Sequence, residues 1–221
     1  MNSTQVRRPR STLQGYLLLG TVALVLGTVY ALVLRNTAKS SGEGSVLAAP
    51  ADSKESFAEI RPFTLLDQSG ATFTRDTLMG RPSIVGFIFT RCSGPCPLIT
   101  ANMKKVHDQI AGDDIRLVTI TVDPEYDTPA VLSEYARNIG ADLTRWTFLT
   151  GPTDEVQRLS EKSFLLPIEK DESQPVGESI THRTYLTVVD KTGRVRGYYD
   201  GEGPVGLEAA VKRARYLAAE Q

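Results

Sequence analysis

Pro82 to Thr90 reads PSIVGFIFT, a nearly unbroken apolar run with no charge in it. A strand with one face in water alternates apolar and polar residues, whereas a run without that alternation fits a central strand buried on both faces. Such a strand needs cover on both sides, and the chain around it has to supply helices. Ile99, Met103, Val106 and Ile110 recur at i, i+4, i+7 and i+11, a helical stripe, just after the run. IRLVTITV, Ile115 to Val122, is β-branched and strand-like. TPAVLSEYARNIG follows as a helix with Thr128 at the N-cap, Pro129 at the first helical position and a stop at Gly140. WTFLTG predicts a short strand, and PTDEVQRLSEKSF a helix whose acids sit in the first turn, where the macrodipole favours them. PVGLEAAVKRARYLAAE is a closing helix.

Two hairpins frame this alternation. RPFTLLDQSGATFT turns at Gln68-Ser69-Gly70, and TYLTVVDKTGRVRGYYDG turns at Lys191-Thr192-Gly193. The pattern over residues 57–221 predicts one α/β domain, a mixed sheet flanked by helices with its last hairpin antiparallel. The chain shows no internal repeat. Its 25 basic and 26 acidic residues give a net charge of −1. That balance gives no sign of a nucleic-acid partner, which calls for clustered positive charge. Two cysteines are too few to build a disulfide scaffold, so a hydrophobic core must hold the domain.

The N-terminus reads differently. Residues 1–14 form a short polar stretch containing Arg7, Arg8 and Arg10. Gly15 to Leu34, GYLLLGTVALVLGTVYALVL, carries no charge and no proline. Twenty helical residues span about 30 Å, the thickness of a bilayer's hydrocarbon core. We read 15–34 as a retained transmembrane helix, longer than the apolar region of a signal peptide, although VLAAPA at Val46 to Ala51 keeps cleavage open. The arginines favour a cytoplasmic N-terminus and an extracytoplasmic or periplasmic domain, in a single-pass inner-membrane protein. Residues 35–56 are small and polar with no aromatic residue, as in a flexible linker averaging roughly 25 Å end to end.

The chemistry concentrates at TRCSGPCP. Cys92 and Cys96 are the only cysteines, and they bracket the expected start of the first long helix. Free amides and the macrodipole at a helix N-terminus stabilise thiolate and lower its pKa. Thiolate is both a nucleophile and a metal ligand, so dithiol redox work and metal binding are both open. A local staple over so short a loop would constrain little chain. A cysteine pair between the first central strand and its helix is also where a thioredoxin-like fold carries its active site.

Only two histidines could add a ligand. His107 falls beside the helical stripe and reads as a helix-flank side chain. His182, in SITHRTYLTVVD, precedes a strand at the place where a thioredoxin-type oxidoreductase would carry a proline; the nearest prolines, Pro175 and Pro204, are distant. Two thiolates and an imidazole suit copper, Cu(I) above all. In TVDPEYDTP, Asp123, Glu125 and Asp127 cluster at the end of the next strand. Asp127 and Thr128 fit a turn and a helix cap, while Asp123 reads either as part of that turn or as a residue that tunes the metal from beside its ligands.

Taken in order, a single N-terminal span, TRCSGPCP, VDPEYDTP and THRTYLTVVD resemble the Sco/SenC family, over roughly Phe57 to the C-terminus. The resemblance implies a thioredoxin-like fold binding one copper ion through Cys92, Cys96 and His182. It implies a copper chaperone, a binding protein without turnover, that delivers the ion to the binuclear site of cytochrome c oxidase subunit II. The alternative it carries is a thiol–disulfide oxidoreductase that uses Cys92 and Cys96 to reduce the cysteines of that site or of another exported protein. The chain departs from the family at Thr181, where an acid is frequent, and at Ser93-Gly94-Pro95, closer to a thioredoxin's Gly-Pro. A peroxidase of the peroxiredoxin kind fits less well, because Thr90 lies two residues before Cys92 where that family has three.

Overall fold

A computed structural model describes residues 52–220 and, ahead of them, Gly27 alone. The proposed span and the linker up to residue 51 therefore lie outside the described residues. Among those that are described, no helix is long and apolar enough to cross a membrane.

The domain follows the alternation in its sequence. Its strands are β1 (Ala58–Glu59), β2 (Thr64–Asp67), β3 (Thr72–Thr74), β4 (Ser83–Ile88), β5 (Arg116–Thr121), β6 (Trp146–Thr150), β7 (Ile168–Lys170), β8 (Ile180–His182), β9 (Tyr185–Val189) and β10 (Arg194–Asp200). Its helices are α1 (Arg75–Leu78), α2 (Cys96–Gln109), α3 (Pro129–Asn138), α4 (Thr153–Lys162) and α5 (Pro204–Ala219). Eight strands form one sheet in the order β1-β10-β9-β4-β5-β6-β2-β3, and β7 and β8 form a separate ribbon. The β4–β5 and β5–β6 pairs are parallel and the rest antiparallel, so the sheet is mixed as expected.

Every residue of β4 is buried, as its apolar run predicts. Alternation along the strand sends Gly86 and Phe87 to opposite faces. A Cβ on Gly86 would lie 2.7 Å from Met103 Sδ, so the bare backbone lets α2 come close. Thr119 on β5 faces the same helix, receiving the Trp146 indole N–H at 2.9 Å and pointing its hydroxyl at Met103 Sδ. On the other face Phe87 meets Phe164 edge to face, with ring centroids 5.1 Å apart. Both faces are thus covered.

The two hairpin turns share one device. In D-Q-S-G and D-K-T-G the aspartate Oδ1 accepts amides two and four residues on: Ser69 and Ala71 for Asp67, Thr192 and Arg194 for Asp190. Gly70 and Gly193 both take φ 84°, a left-handed conformation that favours glycine.

Residues 52–56, the end of the stretch read as linker, are fastened to the domain. Arg196 donates through Nη2 to the Ser53 carbonyl at 2.8 Å and through Nε to the Glu55 carbonyl at 2.8 Å. Arg213 Nη2 adds a bond to the Ser53 carbonyl at 2.7 Å. Arg196 Nη1 also pairs with Asp190 Oδ2 at 2.9 Å, both side chains being buried. Burial would raise the Asp190 carboxyl, but bonds from Thr192, the Arg194 amide and Arg196 outweigh it and hold the group below its ordinary value.

Arg196→Met should destabilise the domain by on the order of 3 kcal/mol, because it takes the charged partner from the buried Asp190 Oδ2 and the donor from the Glu55 carbonyl. Urea denaturation measures this, and an unchanged midpoint would show the pair to contribute nothing. A carboxyl held below its unfolded value stabilises above roughly pH 4 and ceases to do so as pH falls through the folded value. The difference between the two proteins should therefore shrink in acid.

Candidate metal centre

The site starts from a buried carboxylate. Asp127 is fully buried, and its carboxylate accepts the Thr90 amide at 3.0 Å, the Thr90 hydroxyl, and the Thr121 hydroxyl at 2.5 Å. These bonds tie the end of β4 to the end of β5 just before the cysteine loop. The sequence marked Asp127 as a turn residue, and it is one, its amide bonding to the Asp123 carbonyl at 2.9 Å. Its larger task, fixing where Thr90 leaves the sheet, has no local signature.

Past Thr90 the chain turns through Arg91 to Pro95 and enters α2 at Cys96. Pro95 is the N-cap and offers no capping side chain, and its carbonyl takes the Leu98 and Ile99 amides at 3.0 and 3.1 Å. Cys96 lies at the helix start with 1% of its surface exposed, whereas Cys92 is half-buried. The expectation of a lowered thiol pKa fails at Cys96. Burial pushes it well above the ordinary thiol range, and a hydrogen bond with Cys92 pushes the same way. A bond from the Phe89 backbone opposes these but is the weaker influence. Desolvation of the charged form outweighs the helix terminus when no cation is near.

His182 ends β8, and its Nε2 lies 3.7 Å from Cys96 Sγ. Nδ1 lies 3.1 Å from the Arg183 carbonyl, which can only accept, so Nδ1 carries the proton and Nε2 keeps its lone pair toward the sulfur. Burial lowers the imidazole pKa, leaving the ring neutral at pH 7. Phe89 stands edge-on to it, centroids 6.4 Å apart. For a metal–sulfur bond of about 2.3 Å, a metal–nitrogen bond of about 2.0 Å and an angle near 120°, sulfur and nitrogen would stand about 3.7 Å apart. The spacing of Cys96 and His182 fits two ligands of one ion. Cys96 touches both partners, Cys92 through a hydrogen bond and His182 through this approach. Yet among the described residues no three His, Cys, Asp or Glu side chains converge closely enough to enclose an ion.

Asp123 is engaged elsewhere. Arg91 Nη2 and Nε donate to its Oδ2 at 2.6 and 3.0 Å, and the guanidinium lies 4.2 Å from the Tyr126 ring centroid. Asp123 thus steadies the cysteine loop through the residue before Cys92. His107 is remote in role: it is buried, with its ring 5.5 Å from Trp146, and Arg145 Nη2 lies 3.3 Å from its Nε2. The helix-flank reading stands.

A mixed sheet with helices on both faces, and a cysteine pair where its central strand enters a helix, defines a thioredoxin-like protein; the imidazole beside the pair sets it apart within that class. A family model described as SCO1/SenC matches residues 51–217, and the chain belongs to that family. The SCO1 protein homolog of Bacillus subtilis is 32% identical over 146 residues, covering 65% of this chain and 74% of its own. Among solved structures, BsSco, a member of the Sco family of cytochrome c oxidase assembly proteins in which a disulfide switch was identified, superposes with TM-score 0.67. It is 27% identical and covers 76% of this chain and 98% of its own. Bradyrhizobium japonicum ScoI, solved with copper bound, gives TM-score 0.56 at 27% identity, covering 72% and 100%.

Alkylation should separate the two sulfurs. Cys92 should react with iodoacetamide at pH 8 at least about tenfold faster than Cys96, because only the accessible thiolate is the nucleophile. Peptide mass spectrometry over a time course reads the two rates, and equal rates would contradict the buried, protonated Cys96.

Proposed function

We propose that the chain is a membrane-anchored copper chaperone. It takes one ion on Cys92, Cys96 and His182 and passes it to the binuclear copper site of cytochrome c oxidase subunit II. The observation that carries the reading is the 3.7 Å approach of Cys96 Sγ to an imidazole nitrogen whose tautomer is already set. Thiol–disulfide exchange does not require a lone pair held there, whereas metal ligation uses one. Two soft sulfurs with one nitrogen favour Cu(I) over harder ions. The copper-bound ScoI and the oxidase-assembly role of the Sco family support both the cargo and the client. The uncharged run 15–34 with its upstream arginines supports an anchor and an extracytoplasmic domain.

The chemistry assigns each side chain a task. Cys96, protonated while no ion is bound, gives its proton to solvent as it ligates, so copper affinity rises with pH. Cys92, the more accessible sulfur, is the one an incoming donor or acceptor meets first. His182 needs no deprotonation at neutral pH and supplies the third donor. Arg91 donates to the Asp123 carboxylate at 2.6 Å, which fixes the residue preceding Cys92.

The second reading is a thiol–disulfide oxidoreductase, favoured by the same sulfur pair: one half-buried, one buried, in hydrogen-bond contact. Cys92 would attack a client disulfide and Cys96 would then resolve the mixed disulfide. The client leaves as two thiols and the pair is left oxidised.

Anaerobic titration of the reduced protein against a Cu(I) chelator should give one ion per chain. Cys92→Ser or Cys96→Ser should abolish that binding, and His182→Ala should weaken it by about ten- to a hundredfold. Affinity should climb by up to about tenfold per pH unit for each thiol proton released. Unchanged affinity in either serine variant would refute the ligand set. In an oxidase-dependent strain, His182→Ala should fail to assemble the copper site at low copper and recover partly with excess. Full assembly at low copper, with loss in the cysteine variants, would leave the oxidoreductase reading.

Protease added to spheroplasts should digest the domain while the protein stays with the membrane fraction. A protected domain would overturn the topology, and a soluble mature form would point to cleavage.

A further inference from the structure

The ribbon that carries His182 touches the cysteine loop at a second place. At its tip the Gly177 carbonyl accepts the Ser93 amide at 3.1 Å. Ser93 is the residue between the two cysteines that follows Cys92 directly. A Cβ on Gly177 would stand 2.5 Å from Ser93 Oγ, 2.9 Å from Ser93 Cβ and 3.0 Å from the Arg91 carbonyl. Glycine is therefore required there by close approach, with no left-handed backbone involved.

The segment joining tip to base is knit to itself. Asp171 Oδ1 accepts the Ser173 amide and hydroxyl at 3.0 and 2.7 Å, and its amide donates to the Ser179 carbonyl at 2.8 Å. The Glu178 amide donates to the Pro175 carbonyl at 2.8 Å, and the Ser179 hydroxyl to the Val176 carbonyl at 3.0 Å. Antiparallel pairing then carries the loop into β7 and β8, with Ile168 opposite His182. The tip and the imidazole are thus parts of one hydrogen-bonded hairpin.

We propose that the Ser93–Gly177 contact is a latch that sets the distance from His182 to the cysteine sulfurs, making Gly177 and Ser93 positioning residues for the metal site. The inference rests on the proposed copper reading and adds to it a pair of residues that touch no ion. With the tip seated, Nε2 stands 3.7 Å from Cys96 Sγ. With the tip lifted, the ribbon is no longer held against the cysteine loop at Ser93 and His182 no longer shares a site with the sulfurs.

A double-mutant cycle on the full chain tests this, reading Cu(I) affinity by competition with a chelator. Gly177→Ala should weaken binding by about tenfold while His182 is present, as loss of a ligand-orienting contact does. In a His182→Ala background the same substitution should change affinity by less than about twofold, because the latch acts through the imidazole. Ser93→Gly removes the two closest contacts to the new methyl group, so the Ser93→Gly/Gly177→Ala protein should recover most of the affinity. Hydrogen exchange of the Ser93 amide in the metal-free protein gives a copper-independent readout: protected in the parent, fast in Gly177→Ala. Equal losses from Gly177→Ala with and without His182, or no rescue by Ser93→Gly, would overturn the latch. An unchanged affinity in Gly177→Ala while His182→Ala still weakens binding would also overturn it, and would leave the ligand set standing. Only a null effect of the cysteine and histidine variants themselves would remove the copper reading underneath.

Discussion

The Asp127 carboxylate is the point on which the site depends. It is buried with no cation paired to it among the described residues, and what makes its burial tolerable is the set of donors from Thr90 and Thr121. Those donors lie at the ends of two parallel neighbours in the sheet, β4 and β5. The carboxylate therefore fixes the spacing of the two strand ends and the direction in which the chain departs. Cys92 follows Thr90 by two residues, and Asp123 sits within the same turn, so the cysteine loop and its Arg91 clamp inherit their position from this one group. Neutral side chains of similar shape could fill the space, but they could not receive three donors at once.

Burial and chemistry pull against each other at the sulfurs. Placing Cys96 at a helix start ought to favour thiolate, yet the same placement buries the sulfur, where the charged form loses its water. The outcome is a thiol held neutral until something positive arrives. That gives the pair a division of labour: Cys92 is open to other molecules, and Cys96 responds only once a charge or a partner sulfur is at hand. The neutral imidazole of His182 suits such a site, because it adds a donor without adding a charge that would have to be buried as well.

Much of the fold could be read along the chain because its signals are local. The unbroken apolar run of β4, the 3.6-residue stripe of α2, the Thr128-Pro129 start of α3 and the two aspartate-led turns each come from neighbours in sequence. The cysteine pair and His182 could be picked out because so few residues compete for the role. The sequence did not reveal what depends on distant pairings. β1 and the β7–β8 ribbon are strands of two and three residues, too short to show a period. Asp123 and Asp127 look alike in TVDPEYDTP, and only the folded chain shows that one faces Arg91 and the other Thr90. The Cys96 pKa ran opposite to expectation because helix starts can be recognised from sequence, whereas the depth at which they sit cannot.

The sheet's two outer strands have a consequence for crowding. β1 is two residues long and β3 three, so the eight-stranded sheet ends on each side in a stub. An open edge is where a second copy of a chain can add its own strand, and long, flat edges are the ones that template such growth. Here a newcomer would find an outermost strand of only two residues on one side and three on the other. Copies gathered side by side at high local density would find little outer strand to extend, and the central strands β4 and β5 are each flanked on both sides by a paired neighbour.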